Sequence, residues 1–453
     1  MKSQVRMANG QGFWGDWLEA PVRQIEQGPL DYLTLDYLAE VTMSILQKQK
    51  ARDPAFGYAK DFVPLIERIA PRLLDRGIKV ISNAGGVNPR ACAQAVVSIA
   101  RERGFRGLKV AVITGDDIFE QLDEMLGRGI AFDDLDSGQA IGAIRPRILS
   151  ANVYLGAFPL VEALETGAQV VIAGRSTDTA LALAPMVHEF GWARDDWNKL
   201  AAGTVAGHIT ECGAQTTGGN CQVDWQSIPD LANVGFPIIQ AYPDGSFHVT
   251  KHEGTGGRVT SAVVKEQLVY ELGDPTNYIT PDCVADFTTI QLRDDGPDRV
   301  LVSGIRGRSK PATLKTSITY SAGWKAVGTL VYSWPDAVEK ARAADSIVRQ
   351  RLRDLGLRFD EIHTELFGVN ACHGPVAAAN EDPPEVQLRI GVRGPDRGAV
   401  DRFTRELIPL VLNGPPTATG FGEGRPPVRE VVAYWSSLLP REEIQTRVEV
   451  FEV

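Results

Sequence analysis

At 453 residues, with 43% apolar and 23% charged, the chain has the composition of a soluble globular protein and enough length for two or three domains. A net charge of −10 excludes nucleic acid as the main partner, because phosphate backbones need a basic field; a local basic patch would still hold one small anion. No run of 18 apolar residues is available to span a membrane, and the opening MKSQVRMANG lacks the apolar core of a signal peptide, so a cytoplasmic protein is expected.

In chain order, residues 4–8 read as a first strand, followed by a bend in which Gly10, Gly12 and Gly15 match the dinucleotide pattern G-x-G-x-x-G, with Asp36 as the ribose acid. Asp16 directly after the third glycine would repel a pyrophosphate, so a tight turn or a different active-site loop stands as the alternative. A helix at 17–27, a strand at 31–37, a helix from Ala39, a helix at 61–76 and a strand at 78–82 follow. The bend Asn83, Ala84, Gly85, Gly86 leads to a helix at 88–103, and a strand at 108–114 ends in Gly115, Asp116, Asp117. After an irregular stretch at 127–150 come a helix at 158–166, a strand at 169–173, a bend Gly174 to Asp178 and a helix at 179–190. Repeated strand–loop–helix units imply a largely parallel sheet covered by helices, with ligands at the strands' carboxyl ends. Asp178 has an ordinary use as a helix cap; Arg175 has none and is the better anion-binding candidate.

Residues 196–224 carry a dense polar cluster that includes His208, Glu211, Cys212, Gly218 and Asn220. His208 and Cys212 stand at i, i+4, but Cys221 or His252 would have to complete a metal set, and no C-x2-C spacing exists; no metal is assigned. Beyond about 236 the pattern changes to hairpins and helices: strands at 284–292 and 299–305, strands at 312–320 and 325–333 paired across 321–323, a helix at 336–355, strands at 358–367 and 386–392, a helix at 398–412 and a Gly/Pro-rich segment at 414–427. This predicts an α/β domain over 1–230 and an α+β domain over 231–453 with antiparallel hairpins. Within the second, 247–273 reads as strand, glycine bend and helix. Gly254, Gly256 and Gly257 would leave amides uncovered beside His252 and Arg258, an arrangement suited to an anion.

The motifs NGQGFWGDWLEAP, ISNAGGVNPRACA, VVIAGRSTDTALALAP, HITECGAQTTGGN, KHEGTGGRVTSAVVKEQLVYELGDP and LIPLVLNGPPTATGFGEGRP resemble the acyclic terpene utilisation (AtuA) family, and the similarity spans nearly the whole chain. The family commonly shows GxGFxGDR after the first strand; Trp17 replaces that Arg here. The resemblance implies degradation of acyclic terpenoids such as citronellol and geraniol through branched acyl-CoA esters. It also implies a small partner protein standing in for the extra C-terminal domain that some members carry.

An enzyme acting on an acyl-CoA or related carboxylic acid, by hydration, lyase cleavage or hydrolysis, needs a base and an oxyanion stabiliser. The candidate catalytic residues are Asp116, Asp117, Asp178, Glu211, His252 and Asn220. Asn83, Arg175, Gly85, Gly86, Gly254, Gly256, Gly257 and Arg258, with Gly10, Gly12 and Gly15, are the candidate ligand-binding set. All stand at strand ends or glycine bends, and the loops 10–16, 83–86, 115–117, 174–178 and 218–221 are expected to converge on one cleft with the bend 254–257. No G-x-S-x-G elbow is present. The alternatives are a non-catalytic binding or assembly subunit and, third, a nucleotide-dependent oxidoreductase. We expect a homo-oligomer acting on a small anionic substrate, with no cofactor assigned beyond the CoA moiety such a substrate would carry.

Five cysteines, Cys92, Cys212, Cys221, Cys283 and Cys372, are few, odd in number and widely spaced, as for reduced thiols. Thiol titration of the denatured, unreduced chain should therefore count five free groups; a lower count without deliberate oxidation would refute the cytosolic reading.

Overall fold

A computed structural model describes residues 2–376, 378–420 and 424–453. The first elements are β1 (Val5–Gln11), α1 (Ala20–Gln27), β2 (Tyr32–Leu35), α2 (Glu40–Arg52), α3 (Phe62–Arg76), β3 (Lys79–Ser82), α4 (Pro89–Arg103) and β4 (Lys109–Thr114). Then come α5 (Leu122–Gly127), β5 (Ile148–Val153), α6 (Phe158–Glu165), β6 (Val170–Ile172), α7 (Ala180–Phe190) and α8 (Trp197–Glu211). The strands β1, β2, β3, β6 and β4 pair in that order, all parallel. The expected parallel sheet is thus present at the centre of a ten-stranded sheet.

Alternation along each central strand builds both faces. Val80, Val110, Val112, Val170 and Ile172 pack with Val22, Phe62 and Val96 from α1, α3 and α4. Ile81, Ala111, Ile113 and Val171 face the other way, onto Leu160, Leu183 and Val205 from α6, α7 and α8. The chain goes from β3 out to β4 and returns to place β6 between them, so the loops after β3 and β6 leave toward opposite faces. This is the switch point at which a doubly wound sheet opens a crevice for ligands.

The sheet also corrects the expected boundary near 230. β7 (Ile238–Ala241) pairs antiparallel with β1, and β8 (Phe247–Thr250) with β7. After α9 (Ser261–Val269) and the short β9 (Tyr278–Ile279) and β10 (Val284–Asp286), the hairpin β11 (Gln291–Asp294) and β12 (Arg299–Ser303) continues the same sheet. Backbone hydrogen bonds therefore tie these strands to the parallel core. The compact units divide elsewhere: residues up to Thr319 with Tyr434–Val453 form one, and Tyr320–Ala433 the other.

A second correction concerns the hairpin expected at 312–333. After β13 (Arg306–Arg308), residues 313–333 form one strand, β14 (Thr313–Ser333), with Gly323 at φ +94° accommodated inside it. In the second unit, α10 (Ala337–Asp354) precedes β15 (Glu361–Phe367) and β16 (Glu385–Gly394), and α11 (Arg397–Leu407) and α12 (Leu410–Asn413) precede β17 (Arg429–Pro440). Val338, Ala341, Val348, Phe403 and Leu407 cover Leu330, Leu388 and Ile390 of its antiparallel sheet. Phe421, Gly422 and Glu423 of the Gly/Pro-rich segment lie outside the described residues. The last strand, β18 (Arg447–Glu452), pairs antiparallel with β4.

The approach of α8 to α7 rests on two glycines. A Cβ on Gly207 would lie 2.5 Å from the backbone of Thr179, whereas one on Gly203 would meet the far end of the Leu183 side chain. Alanine gains about 0.5–1 kcal/mol of helix propensity over glycine at either place. Gly203→Ala should therefore be close to neutral, and Gly207→Ala should lose about 1–3 kcal/mol through overpacking. Urea unfolding of the two variants checks the difference.

Candidate functional site

The carboxyl ends of the parallel strands deliver their loops to one edge, and there Arg175 is buried, with 2% of its surface exposed. Its guanidinium donates to the Leu38 carbonyl and to Asp178 Oδ1, the latter at 3.2 Å, and lies 4.2 Å over the Tyr154 ring. The Tyr154 hydroxyl donates to Glu40 Oε1 at 2.7 Å. Burial works to lower the Arg175 pKa, but Tyr154, Asp178, Asp36 and Glu40 outweigh it and the pKa is raised. For Glu40 burial acts upward, and the Tyr154 hydroxyl, its own amide and Arg175 reverse the sign.

Beneath this cation, the Asn83 amide donates to Asp36 Oδ1 at 2.7 Å, and the Leu38 N–H donates to the same oxygen at 3.0 Å. Burial first, and the charge of Asp178 second, hold the Asp36 carboxyl well above the usual range. Asn83 Oδ1 accepts from the Tyr37 N–H, so its role is to join the β2 and β3 loops. Gly85 serves packing: a Cβ there would stand 2.5 Å from the Ala173 carbonyl, and at Gly86 it would meet Leu46.

Next to Arg175 opens a cavity of about 450 Å³, lined by Glu40, Tyr154, Asp178, Thr179, Glu211 and Lys315 among others. At its wall His208 Nδ1 is 2.9 Å from Glu211 Oε1 and 3.4 Å from the Tyr278 hydroxyl, while the Gln267 amide holds the His208 carbonyl. The imidazole sits edge-to-face with Tyr278 and Phe287. Burial would lower the His208 pKa; the charge and hydrogen bond of Glu211 overcome this and raise it. The Glu211 carboxyl is itself raised, by burial, with His208 opposing. His208 Nε2, Arg175 Nε and Thr179 Oγ1, on three residues that line the cavity, are buried without a hydrogen-bond partner among the described residues. The rim is apolar: Leu135, Ile279 and Leu438 line the cavity and are 52%, 60% and 43% exposed.

Arg175, Asp178 and Glu211 thus meet in one place, and Asn83 supports them from below. Asp116 and Asp117 instead line a separate polar cavity of about 780 Å³, together with Lys50, Arg90 and Arg447. Asp116 accepts from the Arg175 N–H at 2.7 Å and from Asn152 at 3.1 Å, and a Cβ on Gly174 would collide with its carboxylate. Asp117 accepts from the Phe119 N–H and stands 3.6 Å from Lys50.

The remaining expectations are corrected by how their groups are spent. His252 is buried, with Nε2 2.9 Å from the Gln24 carbonyl and its ring against Gly28. In the bend 254–257, the N–H groups of Gly256, Gly257 and Arg258 donate to the carbonyls of Asn233, Pro229 and Thr217. The Arg258 side chain donates to Ser227, and Asp298 and Asp294 take the next amides, of Val259 and Ser261. Gly254 (φ +76°) and Gly257 (φ +83°) shape the turn, and Gly256 allows contact with Asp230; no amide of 256–259 or of Ser261 remains for an anion. Asn220, at φ +53°, is exposed, bonds to Gln215 and does not line the site cavity. In the first bend, Asp16 takes the N–H groups of Gly12 and Trp17, which a pyrophosphate would have needed. Gly10 lets β1 approach Pro21, Gly12 approaches the Glu211 carbonyl and Gly15 takes φ +107° in the turn, so the glycine pattern serves packing. Asp36, buried under Asn83, is no ribose acid. Burial and Glu211 push the Cys212 thiol up to about 12, which removes it as a nucleophile.

Sequence reasoning missed Tyr154, Tyr278, Glu40 and Lys315. Tyr154 follows β5, whose alternation in ILSANVY lay next to the stretch read as irregular and was a usable signal. Tyr278 and Lys315 had none.

A family model described as "Acyclic terpene utilisation family protein AtuA" matches residues 5–450. No curated protein and no solved structure matches the chain.

Burial pushes the Asp116 carboxyl up to about 7, against an ordinary value of 3.8. The folded state therefore binds this proton more tightly than the unfolded chain. The associated stability is fully present below pH 4 and is lost as pH rises toward about 7. Asp116→Asn should flatten that part of the stability–pH curve, as followed by urea unfolding at pH 4 to 8; an unchanged slope would assign the dependence to another group.

Proposed function

Since the chain belongs to the acyclic terpene utilisation family, we propose that it is a catabolic enzyme that moves a proton on an apolar, branched carbonyl compound, by hydration or lyase cleavage. The observation that carries this is the buried His208–Glu211 pair at the wall of a cavity that also holds Arg175. A buried imidazole hydrogen-bonded to a carboxyl, both with shifted pKa values, is a common form of acid–base site.

In this reading His208 is the general base. Glu211 fixes its ring orientation through Nδ1 and stabilises the imidazolium that forms when a proton is taken. Negative charge developing on the carbonyl oxygen is met by the Arg175 guanidinium and the Tyr278 hydroxyl, both of which belong to residues lining the cavity. Leu135, Ile279 and Leu438 take the hydrocarbon portion, an arrangement suited to a branched aliphatic chain. An acyl-CoA ester offers such a chain with an uncharged carbonyl next to it; hydrolysis of the ester is the less favoured outcome, because Cys212 is not activated and no serine elbow is present.

The test is assay of the purified protein against branched enoyl- and hydroxyacyl-thioesters and the corresponding free acids. His208→Gln should cost about 10²–10⁴ in kcat/KM with the fold retained by circular dichroism. A base works when neutral, so activity rises with pH through the His208 pKa, which Glu211 raises. Glu211→Gln removes that charge and leaves burial, which lowers the pKa, so the acid limb of the pH profile should move to lower pH. A limb that stays in place, or full activity in His208→Gln, would overturn this assignment.

A further inference from the structure

We propose that a smaller cavity beside the site receives a phosphorylated handle on the substrate, an inference that rests on the reading of the larger cavity as the place of reaction. The smaller one, about 230 Å³, shares Pro281 and Leu314 with it as a common wall. The two differ in charge. Around the reaction cavity stand the carboxylates Glu40, Asp178, Glu211 and Glu271, against Arg175 and Lys315. Arg175 already faces Asp178 and the Leu38 carbonyl, so the carboxylates outnumber the cations and disfavour a fully charged group deep in this space. A charged substrate must leave its charge at the mouth or beyond.

Cations stand on and behind the wall that the two cavities share. Lys315, at the mouth, is exposed and stands 5.0 Å from the Tyr154 ring centroid and 5.6 Å from that of Tyr434. Across the shared wall the smaller cavity presents Lys310, Arg441 and Arg194. Arg194 is committed to Glu162 at 3.0 Å. Arg441 donates to the carbonyls of Pro281 and Pro311, neutral partners that hold it in place without an ion pair. Lys310 is exposed and forms no ion pair or hydrogen bond among the described residues. The one buried carboxylate there, Asp282, has both oxygens turned to the Ala157 N–H, at 3.0 and 2.9 Å, and its charge also acts on Arg441, Lys310 and Arg194, which outnumber it.

One segment borders both spaces: Leu314 and Lys315 face the reaction cavity and Lys310 the smaller one. Five residues of extended chain span at most about 18 Å. The substrate class that fits is therefore an apolar chain with an uncharged reacting carbonyl and a phosphate ester within roughly that reach. Two sources share this chemistry: the nucleotide phosphates of a thioester carrier of the CoA type, and a diphosphate borne directly by the alkyl chain.

Calorimetry on the full chain distinguishes them, with free CoA, pantetheine (the same arm without phosphates) and inorganic pyrophosphate as probes. Wild type should bind CoA at least about tenfold tighter than pantetheine, and Lys310→Glu should remove that preference while leaving pantetheine unchanged. Pyrophosphate binding that equals CoA binding and is lost in Lys310→Glu would support the site and assign the alkyl diphosphate. Equal affinity of wild type for CoA and pantetheine with no pyrophosphate binding, or CoA and pyrophosphate affinities unaffected by Lys310→Glu, would overturn the proposal. Because binding is measured without turnover, phosphate-dependent binding alongside an active His208→Gln variant would sink the reaction reading and spare the handle site.

Discussion

A guanidinium removed from water costs several kcal/mol unless its charge and donors are met, and the carboxyl edge of this sheet is arranged to meet them for Arg175. Its partners come from separate segments: Leu38 after β2, Glu40 at the start of α2, Tyr154 after β5 and Asp178 in its own loop. Asp116, after β4, takes the same residue's N–H. One buried cation thereby fixes the relative positions of loops that are otherwise far apart in sequence. The loops' glycines, such as Gly174 and Gly85, let them come as close as this requires.

The central sheet was legible because its short strands are continuous apolar runs whose two sides are both buried, and such runs alternate with helices of regular period. The loops with chemistry were legible for the same reason: parallel strands can deliver them only to one edge. Pairings between distant segments were not. Nothing local in 238–241 or 247–250 says that the first of these strands adds to β1 and the second to the first, and Gly323 reads as a turn although it lies inside one strand. The glycine bend at 254–257 was misread in an instructive way. A glycine announces that something comes close, and the sequence does not say what. Here the neighbours are the Asp230 and Thr217 carbonyls, not a ligand. The aromatic residues of the site come from distant positions whose only common feature is their place in the fold.

Electrostatics separates the acids within this edge from one another. Asp36 and Asp116 are deeply buried and hold their protons tightly, and each is engaged with neighbouring amides. Glu40 is drawn the other way by Tyr154 and Arg175. Glu211 stands between these cases because its partner, His208, is titratable too, and a proton can be shared by the two according to what lies in the cavity. An apolar rim thus stands over a floor of titratable and charged groups.

The pair His208 and Glu211 stands on the last turn of α8, which begins directly after Gly207, the glycine that sets how near α8 comes to Thr179. The position of His208 is therefore inherited from an interhelical spacing set at Gly207, outside the cavity lining. Small changes in side-chain volume along that seam would displace the imidazole by fractions of an ångström while the protein stayed folded. Variation there would act as a tuning of reactivity at a distance, invisible to any survey restricted to residues in contact with ligand.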